Sequence, residues 1–185
     1  MFNTIVLDYE KLIDLMSLAG KLKRLKRTGW IETGISNPES VSDHTYRVTL
    51  LAMILSDLNN LDTEKVLKMS MIHDLPESII GDLTPDQKKE NHQSAENRAM
   101  MEILSLIPPQ SRKEYAIIWR EYQEMTSDEA ELVYAADKLE MILQAHEYSS
   151  EKIGLSKIQN FFETQVPEEY EFFRKAIIGR FHLDK

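Results

Sequence analysis

Apolar positions recur at helical spacing along nearly the whole chain. Leu12, Leu15, Met16, Ala19 and Leu22 fall at i, i+3, i+4, i+7 and i+10, one face of a first helix. Gly29 and the segment from Gly34 to Pro38 interrupt that pattern and predict a loop. Ser40 or Ser42 offers an N-cap for a second helix reaching about Leu58, and Asp62 or Thr63 caps a third that continues to about Ile80 and stops at Gly81. Thr84-Pro85, a cap followed by proline, opens a polar helix to about Ile107, which Pro108-Pro109 end. Tyr115, Ile118, Trp119 and Tyr122 share one face of the next helix. Thr126 with Glu129 reads as a capping box before a helix to about Ser150, and Pro167 opens a last helix with Phe172, Phe173 and Ile177. Strand-like alternation is nearly absent, so the pattern predicts an all-α bundle of five or more core helices with flanking ones.

At 185 residues the chain fits one domain with a real core. No repeat, low-complexity stretch or linker divides it, so a single domain over 1–185 is expected, with a core of about 10–150 and a helical extension over 151–185. No apolar run approaches the length of about 18 residues that would span a membrane. Met1-Phe2-Asn3-Thr4 lacks the basic and apolar regions of a secretory signal, and there is no cysteine for a disulfide or a thiolate site. These features predict a cytoplasmic protein. The formal net charge of −9, from 31 acidic and 22 basic residues, argues against nucleic acid polymers, whose binding neutralises phosphates with Lys and Arg. It leaves room for a small anion, because a metal and one local basic cluster reverse the field inside a pocket. Lys21, Lys23, Arg24, Lys26 and Arg27 form such a cluster. A solvated helix face accounts for most of it. Arg27 stands apart at the helix–loop junction, where a guanidinium can grip an oxyanion bidentately.

The candidate chemistry lies in histidines and carboxylates on inward faces. Val48, Leu51, Ala52 and Leu55 continue the face of His44, which therefore points into the protein. His73-Asp74 closes the apolar run Val66 to Ile72; Glu77 follows four residues later, and Asp82 lies just beyond Gly81. Asp137 interrupts the apolar centre Leu132 to Leu139, where a carboxylate requires a cation. Lys138 is its neighbour in sequence, but consecutive helical residues do not face each other, so Arg47, Arg98 or a metal must serve. A lone inward histidine is more often a hydrogen-bonded core residue than a ligand. The joint occurrence of four such groups in the order His…His-Asp…Asp favours a metal. Nitrogen and oxygen donors without sulfur suit Mn, Fe, Co, Ni or Zn better than Mg or Ca. Such an ion lowers the pKa of water it holds from about 15.7 toward roughly 7. His92, His146 and His182 read as structural or exposed, and the nine methionines as core filling. Trp30 fits either core packing or a nucleoside wall.

The flanking residues sharpen this picture. Arg27-Thr28-Gly29-Trp30, Pro38-Glu39-Ser40-Val41-Ser42-Asp43-His44, His73-Asp74-Leu75-Pro76-Glu77, Gly81-Asp82-Leu83-Thr84-Pro85 and Asp137-Lys138-Leu139-Glu140-Met141 occur in that order. Together they resemble the HD-domain metal-dependent phosphohydrolases, in the branch typified by 5′-deoxynucleotidases, from about Leu12 to Tyr148. The resemblance implies removal of phosphate from deoxyribonucleoside 5′-monophosphates. It assigns one divalent transition metal per chain (Mn, Co, Ni, Fe or Zn) to His44, His73, Asp74 and Asp137. It further implies acid/base roles for Glu77 and Asp82, substrate binding by Arg27 and Trp30, and a homodimer. In one departure, bacterial members place an aromatic residue directly after the arginine, whereas here Thr28 follows and the tryptophan is Trp30. Two alternatives stand beside this reading: a phosphodiesterase or pyrophosphohydrolase acting on signalling nucleotides, and a nucleotide-binding sensor without turnover. Glu77 and Asp82 argue against the sensor, which needs no carboxylate beside a substrate phosphate.

Overall fold

Short polar side chains set where several helices begin. In the computed structural model, which describes residues 8–150 and 155–182, Asp8 caps α1 (Tyr9–Leu22) by accepting from the Lys11 N–H. A left-handed Gly34 closes α2 (Thr28–Thr33). Ser40 and Asp43 form a reciprocal capping box on α3 (Val41–Asn59), and Asp62 accepts from the Lys65 N–H at the start of α4 (Thr63–Ile72). The chain continues through α5 (Glu77–Ile80), α6 (His92–Leu106), α7 (Pro109–Glu124), α8 (Asp128–Ser150), α9 (Leu155–Phe162) and α10 (Glu171–His182). The all-α expectation holds: among the described residues the one extended pairing is an antiparallel bridge between Lys26 and Ser40. Met1-Phe2-Asn3-Thr4 lies outside the described residues.

The longest helix organises the others. Leu132, Val133, Ala136, Leu139, Ile142 and Ala145 of α8 are fully buried around the helix, so it is covered on all sides rather than amphipathic. It packs against α3, α4, α7, α9 and α10. The main apolar cluster joins it to Val41, Val48, Val66, Met69, Met100, Ile103 and Trp119. A second cluster gathers Trp30, Ile35, Ala145, Tyr148 and Ile158, with Phe161 and Phe162 against it. The expected C-terminal extension thus supplies core residues: Phe161, Phe162 and Phe173 pack against the core, while Phe172 is exposed.

Four boundaries differ from the sequence reading, each for a local reason. The loop expected at Gly29 is the short helix α2, because burial of Trp30 and a side-chain cap from a distant aspartate outweigh its weak propensity. The third helix does not reach Ile80: it ends at Ile72, and residues 73–76 form tight turns. Pro76 explains the break, since proline lacks an N–H and disfavours helical backbone at the preceding residue. Thr84 does form a capping box with Gln87, but around a single 3-10 turn, Pro85–Gln87. The polar stretch that follows has no apolar face to bury, and α6 begins only at His92. Ser127, not Thr126, accepts from the Ala130 N–H, while Glu129 pairs with Lys65 at 3.0 Å. Nor are all the methionines core: Met69 and Met100 are buried, but Met16, Met71 and Met101 are exposed.

The capping box on α3 is testable because it sits one helical turn before His44. Ser40→Ala removes a cap worth about 1 kcal/mol, read as a lower midpoint in denaturant. Hydrogen bonds from the Ser40 backbone and hydroxyl hold the Asp43 carboxyl below its ordinary value of 3.8. A lowered carboxylate stabilises the fold above its unfolded value and loses that contribution as pH falls through the folded one. The gap between wild type and variant should therefore be full at neutral pH and shrink below pH 3.8.

Candidate metal centre

Three segments bring the candidate ligands together. His44 lies in the first turns of α3, His73 and Asp74 in the break between α4 and α5, and Asp137 midway along α8. The Pro76 break turns His73 and Asp74 inward, where a continuing helix would have carried its next turns past them. A strap fixes the fourth side: the Arg27 N–H donates to the Glu39 carbonyl at 3.2 Å and the Val41 N–H to the Leu25 carbonyl at 2.9 Å. The strap ties Arg27 to the start of α3. Gly81, at φ +83°, adopts a backbone that favours glycine and swings Asp82 back toward α2.

The donor atoms converge. His73 Nε2 lies 3.2 Å from Asp74 Oδ2, and His44 Nε2 lies 3.7 Å from the same oxygen. His44 Nε2 is also 3.1 Å from Asp137 Oδ1. All three of His44 Nε2, His73 Nε2 and Asp74 Oδ2 are buried without a well-directed hydrogen bond, and they lie within 4.8 Å of one another. Unsatisfied polar atoms in an interior are costly, and three aimed at one point fit a cation. The opposite ring nitrogens are taken: His44 Nδ1 lies 2.5 Å from Glu140 Oε2 and His73 Nδ1 lies 2.6 Å from the Ser70 carbonyl. Each ring therefore presents Nε2 to the centre. The donor set of His44, His73 and Asp74 fits one divalent ion, and Asp137 Oδ1 lies beside it, 3.1 Å from His44 Nε2.

Electrostatics follow from this crowding of acids. Burial works against the charge on Asp137, yet Lys138 and the two imidazoles hold its carboxyl well below the usual range. Burial and Arg27 pull His44 down, but Asp137 and Glu140 outweigh them and bring it up to about 9. Cation binding at Nε2 has to displace any proton held there. Burial, then Asp74 and Asp82, push Glu77 well above the usual carboxylate range. Its Oε2 is buried and makes no hydrogen bond. Arg27 keeps its charge despite burial because Asp74, Asp137, Asp82 and Glu77 surround it. Its Nη1 is 3.7 Å from both Asp74 and Asp82. Asp82 also accepts from the Thr28 N–H, while the Thr28 hydroxyl donates to the Asp82 carbonyl at 2.7 Å.

The structure brings together seven of the eight expected site residues and redirects the eighth. Trp30 is 1% exposed; its Nε1 donates to Glu39 at 2.9 Å, and its ring packs on Phe161 and Tyr148. It supports α2 from behind rather than walling a substrate. Lys138 was excluded as a partner of Asp137 by helix geometry, but its long stem bends back to place Nζ 2.9 Å from Asp137 Oδ2. Arg47, the alternative partner of Asp137, pairs with Glu140 and Glu147 instead. His92 pairs with Glu96 at 2.9 Å, away from the centre; His146 is half-buried on α8; the side chain of His182 lies outside the described residues. Sequence reasoning did not single out Glu140, though a glutamate three residues after Asp137, between Leu139 and Met141 in the apolar centre of the helix, carried the same signal of an enforced buried partner. It also passed over Glu39, whose carboxyl burial and nearby Glu140 push up to about 7.

Comparison with known proteins agrees with this geometry. The chain matches the HD domain family over residues 19–175. The 5′-deoxynucleotidase HDDC2 of Danio rerio is 39% identical over 173 residues, covering 92% of this chain and 84% of that protein. The 5′-deoxynucleotidase HDDC2 of Homo sapiens is 38% identical over 155 residues, covering 83% and 76%. Among solved structures, the PH0347 protein from Pyrococcus horikoshii OT3 is 33% identical with a TM-score of 0.76, covering 91% of this chain and 99% of that one. A predicted metal-dependent phosphohydrolase from Magnetospirillum magnetotacticum MS-1 shares the fold at a TM-score of 0.72 and 19% identity, over 98% and 96% of the two chains. With the family matched along most of its length and relatives this similar, the chain belongs to the HD domain family.

Proposed function

We propose that this protein is a metal-dependent phosphomonoesterase that hydrolyses the 5′-phosphate of deoxyribonucleoside and ribonucleoside monophosphates, releasing nucleoside and phosphate. The observation that carries the reading is the convergence of three buried, unbonded donor atoms from His44, His73 and Asp74 beside a charged Arg27. The 5′-deoxynucleotidase relatives supply the substrate class. A bound divalent ion, whether Mn, Co, Ni, Fe or Zn, supplies the Lewis acidity that makes water nucleophilic near neutral pH and offsets phosphoryl charge. His44, His73, Asp74 and Asp137 would hold it. Arg27 grips phosphate oxygens through its guanidinium and turns from Asp74 and Asp82 toward the substrate. The Glu77 carboxylate, whose proton affinity burial, Asp74 and Asp82 raise, would orient the attacking water and take its proton. Asp82, fixed by Thr28, faces the leaving 5′-oxygen through Oδ1 and assists its departure. Trp30 acts on the substrate indirectly, by holding α2 and thereby Arg27 in place.

The same reading puts the enzyme in the cytoplasm, in keeping with a chain that has no cysteine. No described helix is long and apolar enough to cross a membrane. The acidic balance favours a small nucleotide over a nucleic acid polymer. A homodimer is proposed through the face of α3 opposite His44. There Tyr46 and Leu50, with Met16 of α1 and Met71 of α4, are exposed along an apolar groove of about 970 Å³.

Three outcomes follow. Metal-stripped protein refilled with Mn, Co, Ni, Zn or Mg should release phosphate from deoxyribo- and ribonucleoside 5′-monophosphates with the transition metals, and Asp74→Ala should abolish that release. No release with any ion, from protein that binds one, defeats the assignment. Glu77→Gln should lower turnover by about 10²–10⁴-fold while metal content, measured by elemental analysis, stays at the wild-type level; undiminished turnover removes Glu77 from the reaction. Leu50→Asp should convert a dimer to a folded monomer in light scattering, and a wild type that is already monomeric sinks the dimer.

A further inference from the structure

Imidazole offers a metal only the nitrogen that its surroundings leave available, so each ligating histidine needs a partner for the other nitrogen. The two histidines here solve this differently. His73 Nδ1 lies 2.6 Å from the Ser70 carbonyl, a neutral acceptor supplied by the preceding turn of its own segment. His44 has no such carbonyl. Its Nδ1 lies 2.5 Å from Glu140 Oε2, and the two side chains are 0% and 1% exposed. Glu140 comes from α8, one helical turn after Asp137, so a single stripe of that helix reaches both nitrogens of one ring.

The remaining oxygen of Glu140 makes no well-directed hydrogen bond but faces a cation. Arg47 Nε lies 3.1 Å from Glu140 Oε1. Arg47 is itself held by Gln144 and Glu147, each 2.9 Å from Nη1. Asp137, Glu140, Gln144 and Glu147 are spaced by three, four and three residues, one face of α8; His44 and Arg47, three apart, are the matching face of α3. A buried carboxylate that served packing alone would be replaced at little cost, or at a gain, by an apolar side chain of similar volume. Its placement on a ligand's second nitrogen gives it another task.

We infer that Glu140, anchored by Arg47, is a positioning residue for the metal centre: it takes the Nδ1–H of His44 and so aims Nε2 at the point shared with Asp74 and Asp137. This rests on the metal centre proposed above, not on the identity of the substrate. A carboxylate on the outer nitrogen also makes the ring a stronger donor than a carbonyl would. Glu140 does not touch substrate or the reacting phosphate.

The test is a titration of metal-stripped protein with zinc, followed by calorimetry and without nucleotide. Glu140→Ala should weaken zinc binding by about 10–100-fold. Glu140→Gln, which keeps an oxygen to accept from Nδ1–H but loses the charge, should recover part of that loss. In nitrogen NMR of the zinc-loaded protein, the His44 Nδ1 proton should be protected from exchange in wild type and in Glu140→Gln, and exposed in Glu140→Ala. Should Glu140→Ala fail to fold, Glu140→Gln decides alone, through weaker zinc binding with the proton still protected. Wild-type affinity in both variants, or the same Nδ1 protection in Glu140→Ala as in wild type, overturns the inference, as does a wild type that binds no zinc. Zinc binding without phosphate release overturns only the hydrolase reading.

Discussion

Six carboxylates crowd the interior of this protein with too few side-chain cations to match them, and most of the architecture serves that imbalance. Asp74, Glu77, Asp82 and Asp137 all act on Arg27, whose charge survives burial because of them. Lys138 relieves Asp137, and Arg47 relieves Glu140. Glu39 and Glu77 respond by moving up, toward the protonated form. In a low-dielectric interior each uncompensated charge costs several kcal/mol. Nitrogen atoms of His44 and His73 left without partners beside that excess of negative charge therefore amount to a demand for a small divalent cation. Once a cation is bound, its charge together with Arg27 would let the site accept an anion despite that negative excess, since the field near a bound ion is set by the ion.

Rigid elements meet that demand with few moving parts. The all-round burial of α8 fixes Asp137 and Glu140 together, because neither can shift without disturbing the fully buried Leu139 between them and Ile142 just beyond. The capping box at Ser40 sets where α3 begins and hence the height of His44. Pro76 ends α4 early and lets His73 and Asp74 leave the helical path as a pair. Each device is local in sequence, yet their products meet at one point, which suits a site whose geometry must be held to within a fraction of an ångström.

The sequence made the helices and the ligands legible for different reasons. Helical periodicity marks α3 and α7 because those segments turn an apolar face to the core, α8 because it is buried all round, and α1 although only Leu22 of its apolar face is fully covered; polar groups on the buried faces betray His44 and Asp137. The helix α2 escaped because its stability is tertiary: Trp30 buries it and Asp82 caps it from a position 54 residues away. The end of α4 was misplaced because the apolar pattern runs through Pro76 and outweighed the proline. Lys138 was dismissed on the rule that helical neighbours diverge, which holds for Cβ directions but not for the end of a four-carbon stem. Glu140 and Arg47 could not be paired from sequence, because their partnership depends on the register of α3 against α8.

Thr28 shows how a departure from a familiar pattern can be resolved by geometry. In the resembling bacterial enzymes an aromatic follows the arginine; here that place belongs to a residue whose N–H and hydroxyl both bind Asp82. The tryptophan two residues later cannot stand in, because it points into the core and stacks on Phe161. Arg27 and Asp82 are thereby coupled through one residue: Thr28 is the first residue of α2, Arg27 is its N-cap, and Asp82 closes the helix end. A negative side chain at a helix N-terminus is favourable in itself, so the tether serves stability and the site at once. Any discrimination at the sugar of the substrate proposed above would then arise from what lies beside this unit.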